Sequence, residues 1–218
     1  RRPETGSAAD LIHDVLVRAI IDGELPPGSR LVEEPVAIAF GVSRTPVREV
    51  LTRLSTSSFV KRDDRGALRV RGVTSEQILD VYAVRTALEG LSARLAAMAS
   101  NPILVAELKH AHVLLKEAWD RHDVRSMSEQ NIAFHAVIAR GTRNAMLLRF
   151  IDEIHDWVRR IPSTTLSALD RPRRVIQQHE QLIEAISNRD ADLAESLARE
   201  HMQDAEAVRL AMITATLG

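Results

Sequence analysis

Gly41-Val42-Ser43-Arg44-Thr45-Pro46-Val47-Arg48-Glu49-Val50-Leu51 is the stretch whose reading decides the fold. It follows an apolar run over residues 36–40, where a helix has to end, and a glycine there takes left-handed backbone without a Cβ penalty. Ser43 is placed to cap the next helix, its hydroxyl accepting a free amide of the first turn. Pro46 falls in that turn, where a missing N–H costs little. Val47, Val50, Leu51 and Leu54 recur at i, i+3, i+4 and i+7 and form a core-facing stripe. Arg44, Thr45 and Arg48 are left on the other face. Guanidinium groups there can reach phosphates or grip guanine edges, beside a helix N-terminus that itself attracts phosphate. This is the pattern of a helix-turn-helix with its recognition helix; the competing reading is an amphipathic helix with a solvated arginine face.

Working outward, residues 8–22 read as a first helix with an apolar face through Leu11, Val15 and Ile20 that should pack across both helices of the motif. Gly23 and Pro26-Pro27-Gly28 end it. Leu31 and Val32 suggest a short strand before the helix over residues 33–40. Phe59-Val60-Lys61-Arg62 and Leu68-Arg69-Val70-Arg71 read as two strands joined by Asp63-Asp64-Arg65-Gly66, a hairpin wing. Arg65, beside Gly66 at the tip, is a candidate for a DNA minor groove, with a solvated loop arginine as the alternative.

The run from Pro27 through Val70 resembles the winged helix-turn-helix of the GntR superfamily of bacterial transcription regulators. The resemblance rests on Pro27-Gly28-Ser29-Arg30-Leu31, Gly41 through Glu49, Leu54 and Arg65-Gly66. It departs at Ser57-Ser58, where that family usually has an acidic residue and a glycine. Ser43, Arg44, Thr45, Arg48, Arg65 and Gly66 are the positions at which DNA contact is expected.

The chain's 218 residues allow two modest domains, and 45% hydrophobic residues with only 3% aromatics favour a mainly helical protein. With no cysteine there is neither a disulfide framework nor a thiolate site. No apolar run approaches the roughly 18 residues that span a bilayer and no charged-then-apolar leader opens the chain, so the expected setting is the cytoplasm, away from membranes. The net charge of −1 hides an asymmetry: residues 44–71 carry eight basic against three acidic side chains, where phosphates would be met.

Beyond the short Gly72-Val73 linker, Thr74-Ser75-Glu76-Gln77 is a capping box that opens a second domain. The domains are expected over residues 1–73, a winged helix-turn-helix, and 74–218, an antiparallel helical bundle for effector binding and dimerisation. Six amphipathic helices are expected at about 76–99, 103–121, 124–140, 144–161, 172–188 and 190–213. The breaks fall at Asn101-Pro102, His122-Asp123, Gly141, residues 162–172 and Arg189-Asp190.

Asn131 and His135 lie i, i+4 on one helix face. His179 and His201 stand 10 residues before and 12 after Arg189, so in an antiparallel pair they sit about 15 and 18 Å from the turn, at nearly one level. Three imidazoles and an amide oxygen can thus converge on a divalent metal and leave positions open. A lone helical histidine is ordinarily a core or surface residue, and His13, His110, His112, His122 and His155 are so assigned.

Residues 84–89, 131–135, Asn144, His179-Glu180 and 199–202 resemble the FCD effector domain of the FadR branch of GntR regulators. That resemblance implies a metal, Zn or Ni, held by Asn131, His135, His179 and His201, with Asn131 where Asp is commoner. It also implies a small carboxylate effector, with Arg85 facing it; the alternative for Arg85 is a surface pair with Glu89 at i, i+4. The expectation is a homodimeric, metabolite-responsive repressor on double-stranded DNA at a pseudo-palindromic operator. A metal-dependent enzyme, using the open metal positions to activate water, and a regulator whose metal is purely structural are the alternatives.

Overall fold

A computed structural model of the chain describes residues 7–57, 59–161 and 163–217. Ser58, half of the Ser57-Ser58 departure, and Pro162, at one end of an expected helix break, lie outside the described residues. The chain divides into two compact units, Arg1–Thr74 and Ser75–Gly218.

The first unit holds α1 (Ala8–Ile21), α2 (Glu33–Phe40), α3 (Arg44–Ser55) and two strands, β1 (Val60–Arg62) and β2 (Leu68–Val70). Ser7 caps α1 through a capping box with Asp10. The helix buries Ala9, Ile12, Leu16 and Ile20 but leaves Leu11 and Val15 exposed, a correction to the expected face. The stripe at 9, 12, 16 and 20 wins because α1 packs chiefly on α3 rather than across both motif helices, and an Arg53–Asp10 ion pair joins the two. Gly41 closes α2 in left-handed backbone at φ 64°, the conformation for which glycine is suited. Val47, Val50, Leu51 and Leu54 are all buried.

Ser43 occupies the N-cap position of α3, but its side chain makes no cap hydrogen bond. The third residue of the helix is Pro46, which lacks the N–H that such a hydroxyl would most often take. The strands pair antiparallel, with Val60 opposite Val70 and Arg62 opposite Leu68. The strand expected at Leu31 and Val32 is instead a single bridge from Arg30 to Arg69 on the other edge of β2. Asp63 builds the wing turn: Oδ1 accepts from the amides of Arg65 and Ala67, and Oδ2 from Arg69 Nε at 2.6 Å.

The second unit contains α4 (Ser75–Met98), α5 (Pro102–Asp120), α6 (Val124–Gly141), α7 (Ala145–Arg160), a single 3-10 turn at Thr165–Ser167, α8 (Arg171–Ser187) and α9 (Ala191–Leu217). α4 begins directly after Thr74 and packs on α6, α7, α8 and α9. Ala93, Ala96 and Ala97 on α4 and Ala194 and Ala198 on α9 belong to one buried cluster with Leu108, Phe134, Ile138 and Ile186. Small residues let the helix axes approach. Asn101, Asp123 and Asn144 cap α5, α6 and α7 through their side-chain oxygens.

The break expected at Gly141 is present, and the glycine also has a packing role. It ends α6, the left-handed reversal falls at Arg143 (φ 54°), and a Cβ on Gly141 would stand 2.7 Å from two Leu104 methyls. It is needed for close packing.

Leu54→Ala should cost about 2–5 kcal/mol by opening a cavity under α3. Ile38→Ala, at a side chain that is 75% exposed, should stay within about 0.5 kcal/mol. Urea melts compare the two; equal losses would mean that Leu54 is not a core residue.

Candidate functional site

Ser43, Arg44, Thr45 and Arg48 are exposed on the first turns of α3, opposite the buried stripe, and Arg65 and Gly66 are exposed at the wing tip. Arg44 and Arg48 are held by the first turn of α2. Arg48 makes a two-pronged contact, Nε to Glu33 Oε1 at 2.9 Å and Nη2 to Oε2 at 2.8 Å, and Arg44 Nη2 lies 2.8 Å from Glu34 Oε1. These contacts are solvent-exposed, and the Arg48 hydrogen bonds hold the Glu33 carboxyl below its usual range. In the wing, Arg62 donates to the Gly66 carbonyl, while the Arg69 hydrogen bond lowers Asp63.

In the second unit, α6 supplies His135, α8 His179 and α9 His201. All three are buried, and one ring nitrogen from each falls within 4.8 Å of the others. The ring centroids are 5.1–5.3 Å apart. The convergence expected from the spacing about Arg189 is therefore present. Phe134, next to His135, stacks on the His179 ring at 3.8 Å with 9° between planes, a dry wall that limits rotation. His135 Nε2, both nitrogens of His179 and Asn131 Oδ1 are buried without a hydrogen-bond partner. Such orphaned polar atoms are costly without a partner, and neutral imidazole nitrogen and amide oxygen ligands suit a borderline divalent ion. The residues present fit the implied metal.

Arg85 is buried on α4, not on the surface. Its Nε lies 3.4 Å from Glu89 Oε1, so the i, i+4 pair exists, but inside the bundle. Its Nη2 is buried without a partner. Glu89 borders this group and was missed by sequence reasoning as a site member: it lies 3.2 Å from His135 Nδ1 and 3.2 Å from His155 Nε2. His155, assigned to the ordinary core or surface class, is part of this buried group, and His112 is buried with its ring 6.1 Å from His179. The Arg85-to-Glu89 spacing was the only signal for Glu89. His155 lies on α7, and nothing local ties it to α4.

Burial alone would raise the Glu89 carboxyl, but the contacts with His135 and His155 more than offset it and hold it well below the usual carboxylate range. Burial lowers His135, with Glu89 opposing. Burial also pushes His179 and His201 well below the usual imidazole range, helped in His179 by its imidazole neighbours and in His201 by His135 and Arg171. Each shift favours the neutral ring, the form that ligation requires.

Known proteins bear on both units. Residues 8–70 match the family described as bacterial regulatory proteins, gntR family, and residues 80–204 match the FCD domain. The chain is 27% identical over 197 residues to a probable D-xylose utilization operon transcriptional repressor of Paenarthrobacter nicotinovorans, covering 90% of this chain and 86% of that protein. It is 26% identical over 192 residues to the gluconate operon transcriptional repressor of Bacillus licheniformis, covering 86% and 79%. The solved structure of E. coli McbR/YncC shares the fold at a TM-score of 0.75 and 23% identity, with 98% of this chain and 100% of that one covered. Among the described residues no helix is long and apolar enough to cross a membrane. The metal-dependent enzyme weighed from the three histidines gives way to a DNA-binding regulator. The chain belongs to the GntR family of bacterial transcription regulators, in the form that joins a winged helix-turn-helix to an FCD domain.

Proposed function

We propose that this regulator is a homodimeric repressor that responds to a small carboxylate at a divalent metal, Zn or Ni, in its helical domain. Residues 1–73 read a pseudo-palindromic operator, and residues 74–218 dimerise and bind the effector. The two relatives described above are named as operon repressors, which supports the sign of regulation.

Arg44 and Arg48, with Ser43 and Thr45, are the groups that meet the major groove, and Arg65 and Gly66 approach the minor groove. Their exposure on one turn and one wing tip supports this. The Ser43 hydroxyl, relieved of capping, is available to a phosphate oxygen. To bind, Arg44 and Arg48 exchange the carboxylates of Glu34 and Glu33 for phosphate or guanine, and exposed pairs of that kind are worth little enough to give way.

One observation carries the effector reading: where His135, His179 and His201 converge, buried acceptors of His135 and His179 have no protein partner, and Asn131 Oδ1 and Arg85 Nη2 are likewise buried and unpartnered. Asn131, His135, His179 and His201 would hold the ion, which supplies positive charge. Arg85 supplies a fixed donor for the effector's carboxylate. An effector that prefers one arrangement of the dimer then shifts the population able to hold operator.

Arg44→Ala and Arg48→Ala should each weaken operator binding by about 1–3 kcal/mol if a bidentate base contact is lost. Sequence preference should relax at one position, read by fluorescence anisotropy on operator variants. Unchanged binding in both would mean that α3 is not the recognition helix.

Arg85→Gln keeps a donor to Glu89 but removes the cation. The variant should bind DNA as the parent does while losing its response to effector. Calorimetry that found effector affinity intact would return Arg85 to a purely structural pair.

Asn131→Asp supplies an anionic oxygen at similar reach and should raise metal affinity, while His179→Ala and His201→Ala should lower it. Metal retained after dialysis against a moderate chelator measures this. Full metal retention by both His variants, with no gain in Asn131→Asp, would remove the metal from the proposal. A tightly held metal without any effector response would make it structural.

A further inference from the structure

Of the three histidines, His201 is held by a group of side chains that neither the metal ligands nor Arg85 include. His201 Nδ1 is 2.7 Å from Gln178 Oε1. The same oxygen accepts from Arg171 Nη1 at 3.1 Å, and the Gln178 amide nitrogen donates to Asp204 Oδ2 at 3.3 Å. Arg171 Nη1 also donates to Asp204 Oδ2 at 2.6 Å, and its Nη2 to the His201 carbonyl at 3.3 Å. Arg171 is 1% exposed, among the largest fully buried side chains of the described residues.

A glutamine amide has two chemically different ends, and its neighbours decide which way it points. Arg171 can only donate and an ionised Asp204 can only accept. Turning the Gln178 amide over would set its NH2 against the Arg171 guanidinium and its carbonyl against the Asp204 carboxylate, two repulsive contacts in place of two bonds. The orientation with Oε1 toward Arg171 is therefore enforced. An oxygen facing His201 Nδ1 accepts a hydrogen bond, so Nδ1 carries the proton and the lone pair is left on Nε2. Glu89 acts alike on His135, where a carboxylate faces Nδ1 and Nε2 is unpartnered. His179 has no such partner on either nitrogen.

We propose that Gln178, clamped between Arg171 and Asp204, is a positioning residue that fixes the His201 tautomer and presents Nε2 to the metal. The proposal rests on the metal reading above and adds a residue set to it. The ligand environment is prepared before any ion arrives: two rings have their tautomers set by neighbours, and the third is held by stacking on Phe134. Outer partners of metal-binding histidines act in this way, and their loss commonly lowers metal affinity about 10–100-fold.

The test uses the full-length protein with Zn as the probe. Gln178→Met keeps the side chain's length and removes both polar ends; Gln178→Glu keeps an acceptor for Arg171 and for His201. Zn affinity by chelator competition should fall about 10–100-fold in Gln178→Met and less in Gln178→Glu, which keeps the acceptor toward His201 but turns a second oxygen to the Asp204 carboxylate. Asp204→Asn, a milder change, should produce a smaller fall by loosening the clamp. Imidazole 15N spectra of metal-free protein give a second readout that packing alone would not move. His201 should show a protonated Nδ1 and a bare Nε2 in the parent and in Gln178→Glu, and a mixture of tautomers in Gln178→Met. If the parent binds Zn while Gln178→Met keeps both the parent affinity and the parent tautomer, the positioning role is wrong and the metal site stands. If the parent binds no Zn, the metal reading fails, and the metal-free spectra alone still decide whether Gln178 sets the tautomer.

Discussion

An imidazole shut away from water has to find a use for both of its nitrogens, and three of them crowded within 4.8 Å leave few ways of doing so. Each obligation passes to a neighbour. His135 turns one nitrogen to Glu89, a buried carboxylate is tolerable only beside cations and donors, and Arg85 and His155 meet that need. His201 turns one nitrogen to Gln178, whose amide is in turn held by Arg171 and Asp204. What remains after these pairings is His135 Nε2 and both nitrogens of His179, buried without partners. The interior of the helical domain is thus polar at its centre, and its cohesion comes from the apolar cluster of alanines, leucines and isoleucines between α4, α5, α6, α8 and α9.

The DNA-binding unit follows a different physics. Its core is a small apolar cluster from α1, α2, α3 and the wing, while the charges that matter lie outside in water. Arg44 and Arg48 of α3 rest on Glu34 and Glu33, exposed pairs that solvent and salt screen. Buried pairs in the helical domain are shut away from water, whereas these lie in it, so the same ion-pair chemistry is worth less here.

Much of this was readable in the chain itself. The stripe from Val47 to Leu54, the Gly41 turn and the Asn101-Pro102 break report the fold because each is a local matter of backbone geometry or helical period. His179 and His201 lie at matching distances from a single turn, so their sharing one level follows from helix rise, while His135 joins them through the packing of α6. Glu89 and His155 were not legible in the same way. They meet through the packing of α4 against α7, and no spacing along the chain measures the angle between two helices.

The sequence by itself determined the order and kind of the elements, the two-domain plan and the histidine positions able to share a level, all consequences of period, capping and rise. Only the tertiary structure decided which face of α1 is inward, leaving Leu11 and Val15 in solvent. It also decided that the Arg85 pair with Glu89 is buried, that Gly141, besides ending α6, leaves room for Leu104, and that Gln178 stands behind His201. The physical reason is common to these cases. Burial and hydrogen-bond partnership belong to pairs of elements, and which faces two helices present to each other is settled by the whole core packing at once.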